Sequence, residues 1–227
     1  MNTYKRFEYF LKNQSKAEKV HFFVIYMFIK RCIDIIGALL GLLVFAPLFM
    51  VVGLMYLFGE SKGPVFFKQE RYGRSGQLFT IYKFRSMIVG ADDKLKRDKE
   101  LYEKYISNNY KLEQHEDIRI TNLGRFLRKT SLDELPQLIN VLKGNMSLVG
   151  PRPIVEEELN EYKHKRDDFL SVKPGITGYW QVCGRSAVGY PERVDLELYY
   201  VYNQSLFLDS KILLQTIKVV LIKKGAY

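Results

Sequence analysis

Two adjacent carboxylates, Asp133 and Glu134, are the residues of this chain that are best suited to chemistry. They follow Thr130 and Ser131, which are favourable N-cap residues, and Ser131 and Glu134 have the spacing of a capping box. Pro136 is tolerated only near the start of a helix, so a helix is predicted to begin close to Asp133. Both carboxylates would then lie where free backbone N–H groups attract anions.

Basic residues flank this acidic pair on both sides. Arg128 lies upstream, and Arg152 lies downstream in a Pro-Arg-Pro turn. Carboxylates, free amides and guanidinium groups together can hold a phosphate and a divalent cation, and Mg²⁺ is the cation that usually accompanies phosphates. The alternative is that Asp133 and Glu134 serve only as helix caps and dipole partners, which is the common role of such pairs.

Composition limits the classes of protein to which the chain can belong. Its 227 residues are enough for one domain with a core, and the formal charge of +10 predicts an anionic partner. Nucleic acid, an acidic lipid surface and a phosphate-rich substrate all satisfy that condition. Cys32 and Cys183 indicate no disulfide framework, and the three isolated histidines have no zinc-site spacing.

Residues 35–58 carry no charged side chain and are long enough, as a helix, to span a hydrocarbon core of about 30 Å. Lys30 and Arg31 precede this segment and Lys62 follows it, so the charges give no preferred orientation across the membrane. Pro47 removes a backbone hydrogen bond in its middle. A re-entrant helix–break–helix is therefore predicted, and Pro47→Leu should convert it into a spanning helix. The alternative is a kinked single-pass helix.

The cytosolic remainder contains one predicted hairpin and several charged helices. Residues 64–83 have two β-prone runs separated by turn residues, and Lys83 and Arg85 end the second run, where they could simply face solvent. The basic amphipathic stretch 119–129 could lie on anionic headgroups. Residues 191–224 are predicted to form an amphipathic helix, a turn near 203–209 and an apolar helix. The last helix could rest on the membrane plane or pack in the core.

A glycine-rich stretch, 173–186, is predicted to be mainly loop. Gly175 allows a tight turn, and Gln181 and Arg185 offer polar contacts. Tyr179 or Trp180 could stack on a base. These residue types suit a nucleotide. The stretch has no Walker pattern, so alone it is weak evidence.

Several segments together resemble the bacterial sugar transferase family, the monotopic polyprenyl-phosphate phosphoglycosyl transferases. The resemblance runs from roughly Phe28 to Ile222 and is carried by motifs in a fixed order: KRCIDIIGALLGL, KFRSM, RITNLGRFLRKTSLDELPQLINVL, SLVGPRP, KPGITG and GRS. It implies an α+β, mainly helical fold with a re-entrant membrane helix, a small β-hairpin and amphipathic interfacial helices around the active site. The expected divisions are an N-terminal leader and interfacial segment, 1–30, the re-entrant helix, 31–60, and a catalytic domain, 61–227, on the cytoplasmic face of the bacterial plasma membrane.

The resemblance also implies an activity, the transfer of a hexose-1-phosphate from a UDP-sugar to undecaprenyl phosphate with release of UMP. This would begin the synthesis of an exopolysaccharide, capsule or O-antigen. Asp133 would be the nucleophile that carries a covalent phospho-sugar, and Glu134 would hold Mg²⁺ on the diphosphate. The residues expected to contact substrates are Lys83, Arg85, Arg128, Arg152, Gln181, Arg185 and Glu197.

Two departures from the family pattern affect these expectations. Glu197 stands where the family usually has Asp, which leaves its role open. The GYWQVCGRS run, 178–186, is closer to the members that use glucose or galactose, so UDP-glucose or UDP-galactose is the expected donor. The expected partners are polyprenyl phosphate and membrane lipids, with no nucleic acid. A homodimer is possible.

Two other functions remain open at this point. A membrane-associated glycosyltransferase would move the sugar alone and release UDP, but the chain has no Asp-x-Asp metal motif for it. A non-enzymatic, basic, membrane-anchored protein would bind anionic lipid or nucleic acid, and it would tolerate Asp133→Asn.

Overall fold

A computed structural model describes residues 16–107, 112, 116–184 and 187–222, with side chains from residue 21 to residue 220. The described part is mainly helical and contains two small sheets, which agrees with the α+β prediction. The helices are α1 (Lys16–Met55), α2 (Ala91–Arg97), α3 (Lys99–Ser107), α4 (Asn122–Lys129), α5 (Gln137–Lys143), α6 (Glu156–Leu159), α7 (Arg166–Leu170), α8 (Tyr179–Cys183), α9 (Glu192–Tyr202) and α10 (Leu206–Ile222). The strands are β1 (Phe66–Tyr72), β2 (Leu78–Phe84), β3 (Ser147–Val149) and β4 (Gly175–Thr177).

The long helix α1 is the one described helix that is long and apolar enough to cross a membrane, over His21–Met55. Only 11% of its most apolar window is buried against the rest of the protein, so most of its side chains need another apolar environment. Pro47 lies inside the helix. The break predicted at Pro47 is therefore not a break in secondary structure, because the hydrogen bonds on both sides of the proline continue.

Both halves of α1 contact the rest of the protein. In the first half, Ala38 is fully buried in a cluster with Phe79 and Leu138. In the second half, Val52 and Tyr56 are buried beside Phe84, Leu123 and Leu127. The two ends of the apolar segment thus pack on one and the same body.

Charged side chains on α1 strengthen this attachment. Arg31 donates to the carbonyl oxygens of Val141 and Leu142, at 2.7 and 2.9 Å, and so caps the C-terminus of α5. Asp34 is buried and accepts from Ser147 Oγ and the Leu148 N–H, both at 2.9 Å. The first turns of the membrane segment are therefore bonded to α5 and β3.

The strands β1 and β2 form the hairpin that the sequence predicts. They pair antiparallel from Phe66 opposite Phe84 to Tyr72 opposite Leu78. The chain reverses over residues 73–77. Lys83 lies on the last part of β2 and is thereby placed at one end of the hairpin.

A second, parallel pair joins β3 to β4, with Ser147 opposite Gly175 and Val149 opposite Thr177. A Cβ on Gly175 would lie 2.1 Å from the backbone nitrogen of Gly150, so no side chain fits there. The prediction that 173–186 is mainly loop was partly wrong, since this stretch also contains β4 and α8. A three-residue strand between turns is too short to show the alternation by which strands are identified.

The C-terminal helices α9 and α10 agree with the predicted helix, turn and helix. Leu208 and Ile212 of α10 are buried in a cluster with Val149 and Tyr200. The opposite side of α10 exposes Phe207, Leu214 and Ile217, of which Leu214 is 69% exposed. This helix therefore packs in the core on one side and leaves an apolar surface on the other.

Candidate active site

The acidic pair lies in a 3₁₀ turn, Leu132–Glu134, that precedes α5. Ser131 adopts a left-handed conformation at φ 57°, and Pro136 occupies the position directly before the helix. The predicted helix start at Asp133 was thus wrong, and so was the predicted capping box. Ser131 is not in the extended conformation of an N-cap residue, and Glu134 is bonded to Lys83 instead.

Glu134 is held by two cations from distant parts of the chain. The Lys83 ammonium lies 2.8 Å from Glu134 Oε1, and Arg152 Nη1 lies 3.2 Å from the same oxygen. Burial alone would raise the pKa of Glu134, but the charges of these two cations outweigh it and lower the pKa to about 2. Glu134 is therefore a permanent anion at neutral pH.

Asp133 is in a different environment, although it is the next residue. Within the described part of the chain its carboxylate makes no ion pair and no hydrogen bond. Burial and the neighbouring charge of Glu134 raise the pKa of Asp133 to about 6, against the opposing charges of Lys83, Arg128 and Arg152. Asp133 is thus an ionised carboxylate near neutral pH that is available to react.

Arg128 lies on the Asp133 side of the site. It is at the end of α4, and its Nε donates to Ser86 Oγ at 2.8 Å. Burial lowers the pKa of Arg128, while the charge of Asp133 is the largest influence that opposes this shift. The residues that the structure brings together are therefore Lys83, Arg128, Asp133, Glu134 and Arg152.

Glu197 lies behind Arg152 and faces the protein interior. It is fully buried, and its two carboxylate oxygens each lie 3.3 Å from the backbone nitrogen of Arg152. Burial raises the pKa of Glu197 to about 7, against the charge of Arg193 and the bond from Arg152. In this position it supports the Pro-Arg-Pro turn, in place of the substrate contact that was expected.

Arg85 also differs from its expected role. Its guanidinium group donates to the carbonyl oxygens of Ser61, Pro64 and Met87 at 2.5, 2.8 and 2.9 Å. It also lies over the ring of Tyr56, 5.2 Å from the centroid. Because its donors are used by the backbone, Arg85 holds the segment after α1 against the end of β2 and has little capacity left for a substrate.

Gln181, one of the two expected nucleotide contacts, is not joined to this site by any contact within the described residues. Gln181 is 7% exposed, and neither its amide nitrogen nor its amide oxygen has a hydrogen-bond partner. An amide with both groups buried and unbonded is suited to accept a ligand or a water molecule. Arg185 lies outside the described residues.

A chain of partly buried ion pairs beside Arg152 was not predicted from the sequence. Glu158 lies 3.4 Å from Arg71 and 2.9 Å from Arg193, and Arg193 Nε lies 3.5 Å from Glu197. Glu158 is the last of three consecutive glutamates, 156–158, and this position in a first helical turn predicts no more than an interaction with the helix dipole. Since its partners come from β1 and α9, no local pattern could have identified this chain of charges.

Residues 25–223 match the model of the bacterial sugar transferase family. The chain therefore belongs to this family, as its motifs predict.

Individual relatives are similar to this chain over most of its length. The undecaprenyl-phosphate galactose phosphotransferase of Salmonella typhimurium is 47% identical over 203 residues, which cover 88% of this chain and 42% of that protein. The exopolysaccharide production protein ExoY of Rhizobium meliloti is 42% identical over 202 residues, which cover 87% of this chain and 88% of that protein. An N-acetylgalactosaminephosphotransferase of Aeromonas hydrophila, named for UDP-N-acetylgalactosamine and undecaprenyl phosphate, is 37% identical. The chain thus spans less than half of the Salmonella and Aeromonas proteins.

Proposed function

We propose that this chain transfers a hexose-1-phosphate from a UDP-hexose to undecaprenyl phosphate and releases UMP. The observation that carries the proposal is the division of the acidic pair into two environments. Glu134 is held between Lys83 and Arg152, whereas Asp133 is ionised and free of ion pairs within the described residues. One carboxylate is thus fixed as part of a charged framework, and the other is available as a nucleophile.

In the first half-reaction, a carboxylate oxygen of Asp133 attacks the phosphorus atom that bears the sugar. The bond from this phosphorus to the bridging oxygen breaks, and UMP leaves with the electron pair. The product on the protein is an acyl phosphate that carries the hexose. Lys83, Arg128 and Arg152 would neutralise charge on the phosphate oxygens, which is the main requirement of phosphoryl transfer.

In the second half-reaction, a phosphate oxygen of undecaprenyl phosphate attacks the same phosphorus atom. The acyl phosphate bond breaks, Asp133 returns as a carboxylate, and undecaprenyl-diphospho-hexose is formed. Because the nucleotide leaves before the lipid reacts, the kinetics should be ping-pong.

A magnesium ion fits this site if the protein carboxylates and the substrate phosphates coordinate it together. The described residues contain no group of three or more side chains that could hold a metal ion. Mg²⁺ is commonly held by one or two carboxylates together with substrate phosphates, and Glu134, with Asp133 beside it, can supply that share. When bound, the ion would neutralise charge on the diphosphate.

A hexose without an acetamido group is the proposed sugar, with galactose first. The GYWQVCGRS run resembles the glucose and galactose members. The Salmonella relative is named for galactose and is more similar to this chain than the Aeromonas relative, which is named for N-acetylgalactosamine.

The contacts of α1 support a monotopic position on the cytoplasmic face of the membrane. A straight helix that spans the bilayer would place Asp34 and Tyr56 about 33 Å apart, on opposite sides of the hydrocarbon core. Asp34 is bonded to β3, and Tyr56 is buried beside the end of β2. Because one folded body cannot lie on both sides of a bilayer, we infer that α1 enters and leaves by the same face.

The decisive experiment is identification of the nucleotide product. Purified protein in nanodiscs with undecaprenyl phosphate and Mg²⁺ would be given UDP-galactose, UDP-glucose and UDP-N-acetylgalactosamine in turn. UMP from one hexose, absent with Asp133→Asn, is the expected result. UDP as the product would instead identify a glycosyltransferase, and release of no nucleotide with any donor would contradict the proposal.

A further inference from the structure

Asn140 lies in the middle of α5 and is 1% exposed. Its side-chain amide makes two hydrogen bonds, both to the backbone of β2. Its Oδ1 accepts from the Tyr82 N–H at 3.0 Å, and its Nδ2 donates to the Thr80 carbonyl oxygen at 2.7 Å. Both polar groups of the side chain are thus used on a single strand.

These two bonds occupy the open edge of β2. Tyr82 pairs with Lys68 and Thr80 pairs with Glu70 on the β1 side, while the groups bonded to Asn140 point the other way. One acceptor and one donor, two residues apart, are the groups that a single residue of a parallel neighbouring strand would meet with its own N–H and C=O. The Asn140 side-chain amide takes the place of that residue, so it fixes the orientation of α5 on β2 as well as the distance between them.

This connection joins the two segments that carry the ion pair of the active site. Lys83 directly follows Tyr82 on β2, and Glu134 lies in the turn that leads into α5. The Lys83 ammonium and Glu134 Oε1 are 2.8 Å apart. A slip of β2 along α5 would move the ammonium away from the carboxylate and from any phosphate beside it.

We propose that Asn140 is a positioning residue that holds Lys83 in register with the Asp133–Glu134 pair. It acts through Lys83 and touches no reacting group. The inference rests on the proposed function, because its consequence is measured as a rate.

The test compares four variants in the nucleotide-release assay: Asn140→Ala, Asn140→Asp, Lys83→Met and the double variant Asn140→Ala with Lys83→Met. Misplacement of a catalytic group by about 1 Å can cost about 100-fold in rate, so Asn140→Ala should lower kcat by about 10- to 100-fold. The KM for the UDP-hexose should stay within about 3-fold, because Arg128 and Arg152 remain in place. Asn140→Asp should also lose kcat, since a carboxylate can accept from Tyr82 but cannot donate to Thr80.

The double variant separates positioning from a general loss of structure. If Asn140 acts through Lys83, its removal in the Lys83→Met background should lower kcat by less than about 2-fold. Ser147→Ala is the matched control. Ser147 is also 1% exposed, and its substitution also removes a buried hydrogen bond, the one to Asp34. It should lower the thermal midpoint as Asn140→Asp does and leave kcat close to that of the wild type.

Two results would overturn the positioning role. One is a double variant in which the losses multiply, and the other is an Asn140→Asp variant that lowers the thermal midpoint without lowering kcat. A wild-type protein that releases no UMP would contradict the proposed function itself. Multiplying losses in a protein that does release UMP would contradict only the role of Asn140.

Discussion

At the residue scale, the two carboxylates of the site differ because different partners surround them. Asp133 has its pKa raised to about 6 by burial and by Glu134, whereas Lys83 and Arg152 lower the pKa of Glu134. A carboxylate with a raised pKa is less stable as an anion in the folded protein than in the unfolded chain. The same arrangement that leaves Asp133 reactive should therefore reduce the stability of the fold.

Asp133→Asn should accordingly abolish nucleotide release and raise the thermal midpoint at pH 8. Above its folded pKa of about 6, Asp133 is ionised in surroundings that disfavour the charge, and this lowers the free energy of unfolding. The loss of stability disappears below the unfolded pKa of about 3.9, where Asp133 is protonated in both states. The gain should correspond to about 3 kcal/mol at pH 8, because one unit of pKa shift is worth about 1.4 kcal/mol, and it should shrink as the pH falls through 6. Thermal unfolding in detergent with EDTA measures it, and a midpoint that falls at pH 8 would contradict the prediction.

Glu197 gives a second prediction, since it supports the backbone that presents Arg152. Glu197→Gln keeps an acceptor for the Arg152 N–H and should retain activity within about 10-fold. Glu197→Ala leaves that buried N–H unbonded and should raise the KM for the UDP-hexose at least about 10-fold more than Glu197→Gln does. Steady-state kinetics of both variants, with the UDP-hexose varied, measure the two KM values. Equal KM values for the two would show that the hydrogen bond is unimportant.

Arg85 shows that residue type and position in a motif do not suffice to predict which side chains contact the substrate. Lys83 and Arg85 belong to the same KFRSM run, and both were expected to contact substrate. The structure bonds Lys83 to Glu134 and Arg85 to three backbone carbonyls. Those carbonyl groups belong to Ser61, Pro64 and Met87, which lie outside the two strands of the hairpin, and no sequence pattern specifies their positions.

At the scale of elements, the hairpin and the terminal helices could be predicted because each has a strong local pattern. The β1 and β2 runs are separated by turn residues, and Gly144 ends α5 in the left-handed conformation that is typical of a glycine at a helix C-terminus. The turn of Leu132–Glu134 could not be predicted, since favourable N-cap residues and a proline are equally compatible with a regular helix. The left-handed Ser131 separates the two possibilities, and sequence does not reveal it.

The helix α1 provides the prediction at this scale. The sequence alone indicates that Pro47→Leu should produce a spanning helix, but the contacts of α1 lead to a different expectation. The helix already continues through Pro47, and Asp34 and Tyr56, near the two ends of its apolar segment, both contact the same folded body. We therefore expect Pro47→Leu to leave both flanks on the cytoplasmic face.

Cysteine labelling with a membrane-impermeant reagent can test this. Lys19→Cys and Lys62→Cys would each be placed in a background with Cys32 and Cys183 replaced by serine. Both probes should be protected in intact spheroplasts and labelled after permeabilisation, with or without Pro47→Leu. Labelling of either probe in intact spheroplasts would place that flank outside and contradict the monotopic arrangement.

At the scale of the whole molecule, apolar surface outside α1 indicates a second contact with the bilayer. Phe207, Leu214 and Ile217 project from one side of α10, and Lys211 and Lys218 are exposed on the same helix. Apolar side chains flanked by lysines are typical of a helix that lies in the interface. The net charge of +10 would favour an anionic lipid surface.

Leu214→Glu combined with Ile217→Glu should weaken this contact without unfolding the protein, because both residues are exposed. We expect the variant to lose at least about half of its activity in nanodiscs and to regain it with a short-chain polyprenyl phosphate in detergent. Asn203→Glu adds one negative charge at an exposed position outside α10 and serves as the control. An equal loss in both assays would mean that the substitutions damage the catalytic domain.

The bonds from Arg31 to the carbonyl oxygens of Val141 and Leu142 have a consequence for biosynthesis. The ribosome completes α1 well before it makes α5, so the hydrophobic helix can enter the bilayer while the catalytic region is still being translated. The later helix then docks on a partner that is already in place. A truncated chain that begins after Phe58 would lack Arg31 and the α1 members of two core clusters, so it should fail to fold as a water-soluble enzyme.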